Sequence, residues 1–229
     1  MTSTNYPRAF DLVIRSEGGY VNDPNDNGGP TNKGITQATY DKFRVSRKLG
    51  TRTVRLIEDS EVRTIYRYRY WDAVQGDWLR PGIDYAMFDF AVNSGPERAI
   101  KFLQRVVGAD DDGVLGEKTR MAMGKLPAVL IIDRLIDARL AWLKTLSDWK
   151  HFGKGWTNRL RLVREEASRM AKGDPVPVTP PAVEVVLPRT TDPIAAPPKP
   201  VAPVVATGLI GLVATLIAAF WSKLGDLFF

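Results

Sequence analysis

The chain has 229 residues, a formal net charge of +6, no cysteine and a single histidine, His151. Zinc hydrolases need several His or Cys ligands and cysteine peptidases need a thiol, so both classes are excluded and no metal or other cofactor is expected. Carboxylate chemistry remains available for a hydrolytic enzyme.

The first predicted element is a helix near the N terminus. Phe10, Val13 and Ile14 recur at helical spacing, and Glu17 falls on the same face one turn further on. The glycine pair that follows predicts the end of the helix, where the helix dipole is negative. Apolar neighbours and the dipole both favour a protonated carboxyl group, which is what donating a proton to a glycosidic oxygen requires. Glu17 is therefore the candidate general acid of a glycosidase.

A loop rich in glycine, asparagine and proline follows Glu17, with short strand signals at residues 20–21 and 34–36. Glycines let a backbone pass close to a ligand, while Asp and Thr side chains can bind and orient a water molecule. Asp26 is the first candidate for a second catalytic carboxylate, Asp23 is the next, and Thr31 ends the loop. An ordinary turn is the alternative interpretation of this segment.

Helical periodicity recurs at residues 84–93, 96–107, 128–146 and 156–172. Aromatic and polar side chains in and around these segments are candidates for contact with a glycan, although each could instead belong to the core. The aromatic candidates, together with one in the loop, are Tyr20, Tyr70, Trp71 and Trp156, and those suited to acetamido groups are Asn93 and Ser94.

Two further segments follow the helical part. Residues 173–203 contain ten prolines and predict an extended linker. Residues 204–221 form an uncharged run of 18 residues, which as a helix spans about 27 Å against a hydrocarbon core of about 30 Å. We therefore predict a single transmembrane helix over residues 204–222, with a buried or oligomer-forming helix as the alternative.

Charge is unevenly divided along the chain. Residues 1–172 carry a net charge of +7 and residues 173–229 a net charge of −1. No helix-turn-helix or RNA-binding signature accompanies the basic part, so nucleic acid is not expected as a partner. An anionic cell wall or membrane surface is favoured instead. Residues 1–7 lack the basic and apolar stretches of a cleavable signal peptide, so none is expected.

The string SEGGYVNDPNDNGGPTNKGIT at residues 16–36 resembles the N-terminal signature of glycoside hydrolase family 108. These muramidases occur as phage-type endolysins and as peptidoglycan-cutting secretion activators. Residues 70–72, 82–95 and 155–159 are similar to later landmarks of the family. The resemblance implies a mainly α, lysozyme-like helical domain with a small hairpin or loop element at the cleft. It also implies Glu17 as the catalytic acid, and the spacing of Glu17, Asp26 and Thr31 is similar to that of phage lysozymes.

The organisation that follows is a muramidase catalytic region at 1–95, a peptidoglycan-binding-like helical region at 96–172, the linker and the membrane helix. Residues 102–119 resemble peptidoglycan-binding repeats, or form an ordinary helix-loop-helix. We expect cleavage of the β-1,4 bond between N-acetylmuramic acid and N-acetylglucosamine in bacterial peptidoglycan. The expected location is the bacterial inner membrane, with the catalytic domain acting on the periplasmic wall and a holin or secretion apparatus as a further partner. A lytic transglycosylase and an inactive peptidoglycan-binding scaffold are the alternatives.

Overall fold

The structure is a computed structural model that describes residues 5–22 and 29–173. Contacts within this part of the chain divide it into two compact units. The larger unit contains residues 5–11 and 66–173, and the smaller unit contains residues 12–22 and 29–65. The described residues are mainly helical, which confirms the predicted fold class at that level.

The described part of the chain contains eight α-helices and one two-stranded hairpin. Two 3-10 turns and one π-helical turn connect some of them, at Val54–Leu56, Gly76–Trp78 and Arg67–Trp71 respectively. The helices are α1 (Tyr6–Ile14), α2 (Gln37–Ser46), α3 (Asp59–Tyr66), α4 (Ile83–Ser94), α5 (Pro96–Val107), α6 (Glu117–Gly124), α7 (Ala128–Leu143) and α8 (Trp149–Lys172), and the strands are β1 (Thr31–Asn32) and β2 (Ile35–Thr36).

The hairpin of the smaller unit is closed by a two-residue turn. Lys33 and Gly34 both have positive φ, at 49° and 71°, which is the requirement of the type I′ turns that suit the twist of paired strands. Thr36 ends β2 and caps α2, because its side chain accepts a hydrogen bond from the Thr39 amide. The strand signal at residues 34–36 is thus placed mostly in β2, while Gly34 belongs to the turn.

Helix α4 is the centre of the larger unit. Eleven of its twelve residues are buried, and α5, α7 and α8 each pack against it. A helix that is apolar on nearly all sides needs such surroundings to remove its surface from water. Asn93 is the one residue of α4 that is partly exposed.

Two of the four later helices match the sequence prediction closely, and two have shifted ends. Helix α7 ends three residues earlier than predicted, where the Thr145 hydroxyl donates to the carbonyl oxygen of Trp142 and competes with continuation of the helix. Helix α8 begins seven residues earlier than predicted, at Trp149. Gly153 lies in this extension, against the ring of Trp149. A Cβ atom at this position would lie 2.7 Å from the ring, so a glycine fits here and a larger residue would force the ring to move.

The C-terminal predictions fall outside the described residues. Residues 174–229, which hold nearly all of the predicted proline-rich linker and the whole predicted transmembrane helix, are not among them. Across residues 5–22 and 29–173, no helix combines the length and apolarity needed to cross a membrane. The division at residue 95 stays a prediction; α4 and α5, which flank this residue, pack against each other in the larger unit.

Candidate active site

Glu17 lies in the smaller unit just after the end of α1. The helix ends at Ile14, earlier than the glycine pair that the sequence prediction used as its stop. Two tighter turns continue it, in which Ser16 N donates to Val13 O at 3.0 Å and Glu17 N donates to Ile14 O at 3.1 Å. Glu17 is thus beyond the carbonyl end of α1 rather than on its apolar face, and its side chain is partly exposed. Its protonation state and its acid role stay predictions.

The loop after Glu17 returns to a position beside the chain from which it leaves. Val21 and Thr31 exchange two backbone hydrogen bonds, with N to O distances of 2.8 and 2.9 Å. Thr31 is buried, and its hydroxyl donates to the carbonyl oxygen of Gly29 at 3.2 Å. Asp23 and Asp26 lie outside the described residues, but the residues that flank this segment are fixed to each other. The catalytic assignment of Asp26 and Thr31 stays a prediction.

Tyr20 is the aromatic candidate of the smaller unit. Its side chain is 38 % exposed, and the Arg55 guanidinium carbon lies 5.4 Å from its ring centroid. A cation over one face of the ring holds the side chain in place without burying it. Tyr20 is therefore accessible to a ligand, and its role in glycan binding stays a prediction.

Two aromatic candidates of the larger unit belong to its core. Trp71 is fully buried and Tyr70 is 8 % exposed. The Trp71 indole N–H donates to Asp77 Oδ1 at 2.9 Å, and its ring leaves no space for a Cβ atom at Gly76. The ring also meets Tyr6 and Phe88 edge to face. In this conformation Trp71 presents no ring face to a glycan, so its burial serves packing.

Trp156 has a different environment near the start of α8. It is partly exposed, and its ring centroid lies 6.2 Å from that of Trp149 and 6.0 Å from that of Phe152. The three aromatic residues are spaced so that they share one face of the helix. If Trp156 stacks on a sugar ring as predicted, the sugar would lie against this aromatic cluster of the larger unit.

Asn93 and Ser94, at the end of α4, contact each other. The Ser94 hydroxyl donates to Asn93 Oδ1 at 3.0 Å, and Arg139 Nη2 from α7 donates to the same oxygen at 2.9 Å. Ser94 is 4 % exposed, whereas Asn93 is partly exposed. Contact with acetamido groups is a prediction for both residues, and of the two only Asn93 is accessible to solvent in part.

A buried ion cluster lies beneath Asn93. Asp89 Oδ2 accepts from Arg139 Nη1 at 2.7 Å, and Asp89 Oδ1 accepts from Arg159 Nε at 3.0 Å. Burial opposes ionisation of Asp89, but the two guanidinium groups outweigh it and hold the pKa of this carboxyl below its usual range. The cluster joins α4, α7 and α8. We refer to Asp89, Arg139 and Arg159 as the arginine clasp.

Sequence reasoning missed the arginine clasp, although one signal was available. Arg139 occupies a position at helical spacing from the buried residues Ile132, Leu135 and Ile136 of α7. A charged residue on an apolar face needs a counter-charge, and here Asp89 supplies it from 50 residues earlier in the chain. The sequence pattern shows the need but not the partner.

Residues 102–119, which resemble peptidoglycan-binding repeats, form the end of α5, a loop and the start of α6. The Gln104 side chain organises this loop, because its Nε2 donates to Asp112 Oδ1 at 2.7 Å and to Val114 O at 3.0 Å. Its Oε1 accepts from the Gly113 amide at 2.9 Å. In the part of the chain that the structure describes, no His, Asp or Glu side chains are grouped as metal ligands.

The family described as Glycosyl hydrolase 108 has a model that matches residues 10–95. This segment contains Glu17, Asp26, Thr31 and Asn93. Among solved structures, SagA of Brucella abortus is 47 % identical, and the match covers 73 % of this chain and 96 % of that chain with a TM-score of 0.64. No curated protein matches the chain. The predicted family is thereby confirmed: the chain belongs to the glycosyl hydrolase 108 family and is a glycoside hydrolase by that membership.

Proposed function

We propose that the protein is a muramidase that hydrolyses the β-1,4 bond between N-acetylmuramic acid and N-acetylglucosamine in bacterial peptidoglycan. The observation that carries this proposal is the family match over residues 10–95, a segment that includes the Glu17 motif and the loop after it. The net charge of +7 on residues 1–172 also suits an anionic wall.

Glu17 is the proposed general acid, which protonates the oxygen of the leaving sugar. Asp26 is the proposed partner that binds or activates the attacking water, as two-carboxylate glycosidases require. The pairing of Val21 with Thr31 supports this assignment, because it fixes both ends of the segment that contains Asp26. Thr31 donates its only hydroxyl proton to Gly29, so its oxygen keeps lone pairs with which it can accept a hydrogen bond from that water.

Glycan contacts are proposed at the candidates whose side chains are accessible within their own unit. These are Tyr20 in the smaller unit, and Asn93 and Trp156 in the larger unit. Aromatic rings offer a flat apolar face and the amide offers hydrogen bonds. Tyr70 and Trp71 are assigned to the core that supports the larger unit.

The acid role of Glu17 is tested with Glu17→Gln, which keeps the shape of the side chain and removes the transferable proton. We expect the rate of lysis of purified sacculi to fall at least about a hundredfold with no loss of folding, since general acid catalysis contributes about 10²–10⁴-fold. Glu165→Gln makes the same change at an exposed position of α8 and should keep full activity. Near-normal lysis by Glu17→Gln would overturn the assignment.

The reaction type is tested by mass spectrometry of the digested peptidoglycan. Hydrolysis leaves a reducing N-acetylmuramic acid end, whereas a lytic transglycosylase leaves a 1,6-anhydro end without using water. Anhydro products would replace the muramidase proposal by that alternative. Asp26→Asn should impair hydrolysis strongly with only a modest loss of wall binding; unchanged hydrolysis would move its role to Asp23.

The proposal includes a membrane anchor at residues 204–222. The anchor would hold the protein in the inner membrane, from which the catalytic domain acts on the periplasmic wall. It rests on the uncharged run at residues 204–221 and the proline-rich segment before it. The full-length protein should stay with membranes in high salt, because salt screens surface charge but not apolar burial. A chain truncated after Lys172 should be soluble and still cleave sacculi. Release of the full-length protein by salt alone would contradict the anchor.

A further inference from the structure

Asn93 is the partly exposed exception in an otherwise buried helix. The other eleven residues of α4 are buried. Asn93 is the penultimate residue of the helix, which ends at Ser94. Its Oδ1 accepts two hydrogen bonds, one from Arg139 Nη2 at 2.9 Å and one from Ser94 Oγ at 3.0 Å. A polar side chain with this much support has a defined orientation.

The chemistry of the partners fixes which end of the amide faces inward. A guanidinium group has only donors, so the Asn93 atom that faces Arg139 must be the oxygen. The usual ambiguity between the oxygen and nitrogen of an amide is therefore removed here. The Nδ2 group is directed away from these two partners, and no acceptor among the described residues bonds to it. Asn93 therefore presents the donors of Nδ2 to a ligand, while its acceptor Oδ1 is engaged by Arg139 and Ser94.

The arginine clasp keeps this arrangement rigid. Arg139 is 1 % exposed, its Nη1 donates to Asp89, and its guanidinium carbon lies 4.6 Å from the centroid of the Phe90 ring. Arg159 Nη2 lies 2.8 Å from the other oxygen of Asp89. With the Asp89 carboxylate held from both sides, the second nitrogen of Arg139 is a fixed donor beneath Asn93.

We propose that Asn93 is a specificity-determining residue that donates from Nδ2 to the carbonyl oxygen of an N-acetyl group on the glycan, with Arg139 and Ser94 as positioning residues. The inference rests on the proposed function. A hydroxyl group can donate or accept and would fit an amide in either orientation, whereas an acetamido carbonyl only accepts. An amide locked as a donor therefore selects N-acetylated sugars over de-N-acetylated ones, whose ammonium group has donors only.

Asn93→Asp tests the donor directly. The carboxylate keeps an oxygen for Arg139 and Ser94, so the fold and the melting temperature should be retained, but the donor toward the ligand is lost. Asn158→Asp is the matched control, because Arg161 Nη2 donates to Asn158 Oδ1 at 3.1 Å in a similar arrangement on α8. Each variant and the wild type are assayed on purified sacculi before and after chemical de-N-acetylation.

On N-acetylated sacculi we expect Asn93→Asp to lose about tenfold in kcat/KM, mainly through a higher KM. The ratio of the rate on N-acetylated to that on de-N-acetylated substrate should fall by at least about tenfold, since the new carboxylate accepts from the ammonium group. Asn158→Asp should keep the wild-type ratio. If the wild type is active and Asn93→Asp has the same ratio of rates on the two substrates as the wild type, the inference is overturned. If the wild type is inactive on N-acetylated sacculi, the proposed function on which the inference rests is overturned.

Arg139→Lys tests the positioning role. A lysine has one ammonium group in place of a planar fork and cannot hold Asp89 and Asn93 in the same geometry. We expect the substrate ratio to fall several-fold toward that of Asn93→Asp, because the amide can then turn its oxygen outward. A residue with a merely structural role would lower the melting temperature and leave the substrate ratio at its wild-type value, and that result would overturn the positioning of Asn93 by Arg139.

Discussion

The arginine clasp makes a quantitative prediction about the larger unit, through the substitution Asp89→Asn. The variant keeps the shape of the side chain but removes the one negative charge between Arg139 and Arg159. Its amide can accept from one guanidinium group, while its NH₂ group faces the donors of the other. Two buried or partly buried cations would then lack a counter-charge.

Breaking a buried ion pair from one side costs about 3–5 kcal/mol, a large part of a typical unfolding free energy of about 5–15 kcal/mol. For a chain of this size, each 1 kcal/mol lowers the melting temperature by about 2–4 °C, so a drop of at least about 6 °C is expected. The matched control is Glu165→Gln, which breaks the pair between Arg161 and Glu165 on the surface of α8, where both side chains are about half exposed. That change should cost about 0.5 kcal/mol or less.

Urea unfolding at neutral pH gives the loss of unfolding free energy in Asp89→Asn and in Glu165→Gln. The pH dependence of the loss in Asp89→Asn gives a second check. Because the pKa of Asp89 is lower in the folded state than in the unfolded state, its stabilisation is complete above the unfolded value of about 3.9 and is lost as the pH falls through the folded pKa. The difference in unfolding free energy between wild type and Asp89→Asn should therefore become smaller only at acidic pH, below about 4. A loss at neutral pH no larger than that of Glu165→Gln would refute the role of the clasp.

Gly82→Ala should lower the unfolding free energy by about 2–4 kcal/mol, because Gly82 has a φ of +85° and a Cβ atom would lie 2.1 Å from Ala167 O. Gly124→Ala, at an open helical position, should be neutral or stabilising by up to about 1 kcal/mol; equal effects in urea unfolding would contradict the packing argument. Burial raises the pKa of Asp84 to about 6, so the folded state binds its proton more tightly than the unfolded state and the contribution of Asp84 to the unfolding free energy falls as the pH rises from about 4 to 7. Relative to wild type, Asp84→Asn should gain about 3 kcal/mol across this range in urea unfolding; parallel pH profiles would contradict the assignment.

Local sequence patterns predicted the parts of this protein whose determinants lie close together in the chain. Helix α5 begins and ends at the predicted residues, because a proline at its first turn, an amphipathic repeat and a following glycine all agree. The motif around Glu17 likewise identified the family. The ends of α7 and α8 were predicted less well, because periodicity does not report local contacts such as the hydrogen bond from the Thr145 hydroxyl to Trp142 O beyond the end of α7.

The environment of each candidate side chain was decided by tertiary structure. Trp71 and Tyr20 are both aromatic residues in plausible motifs, yet Trp71 is in the core and Tyr20 is on the surface. Asn93 and Arg139 are 46 residues apart, and their hydrogen bond exists only because α4 packs against α7. A sequence specifies which side of a helix is buried through the spacing of apolar residues, but the partner that neutralises a buried charge or orients an amide depends on which helices pack together.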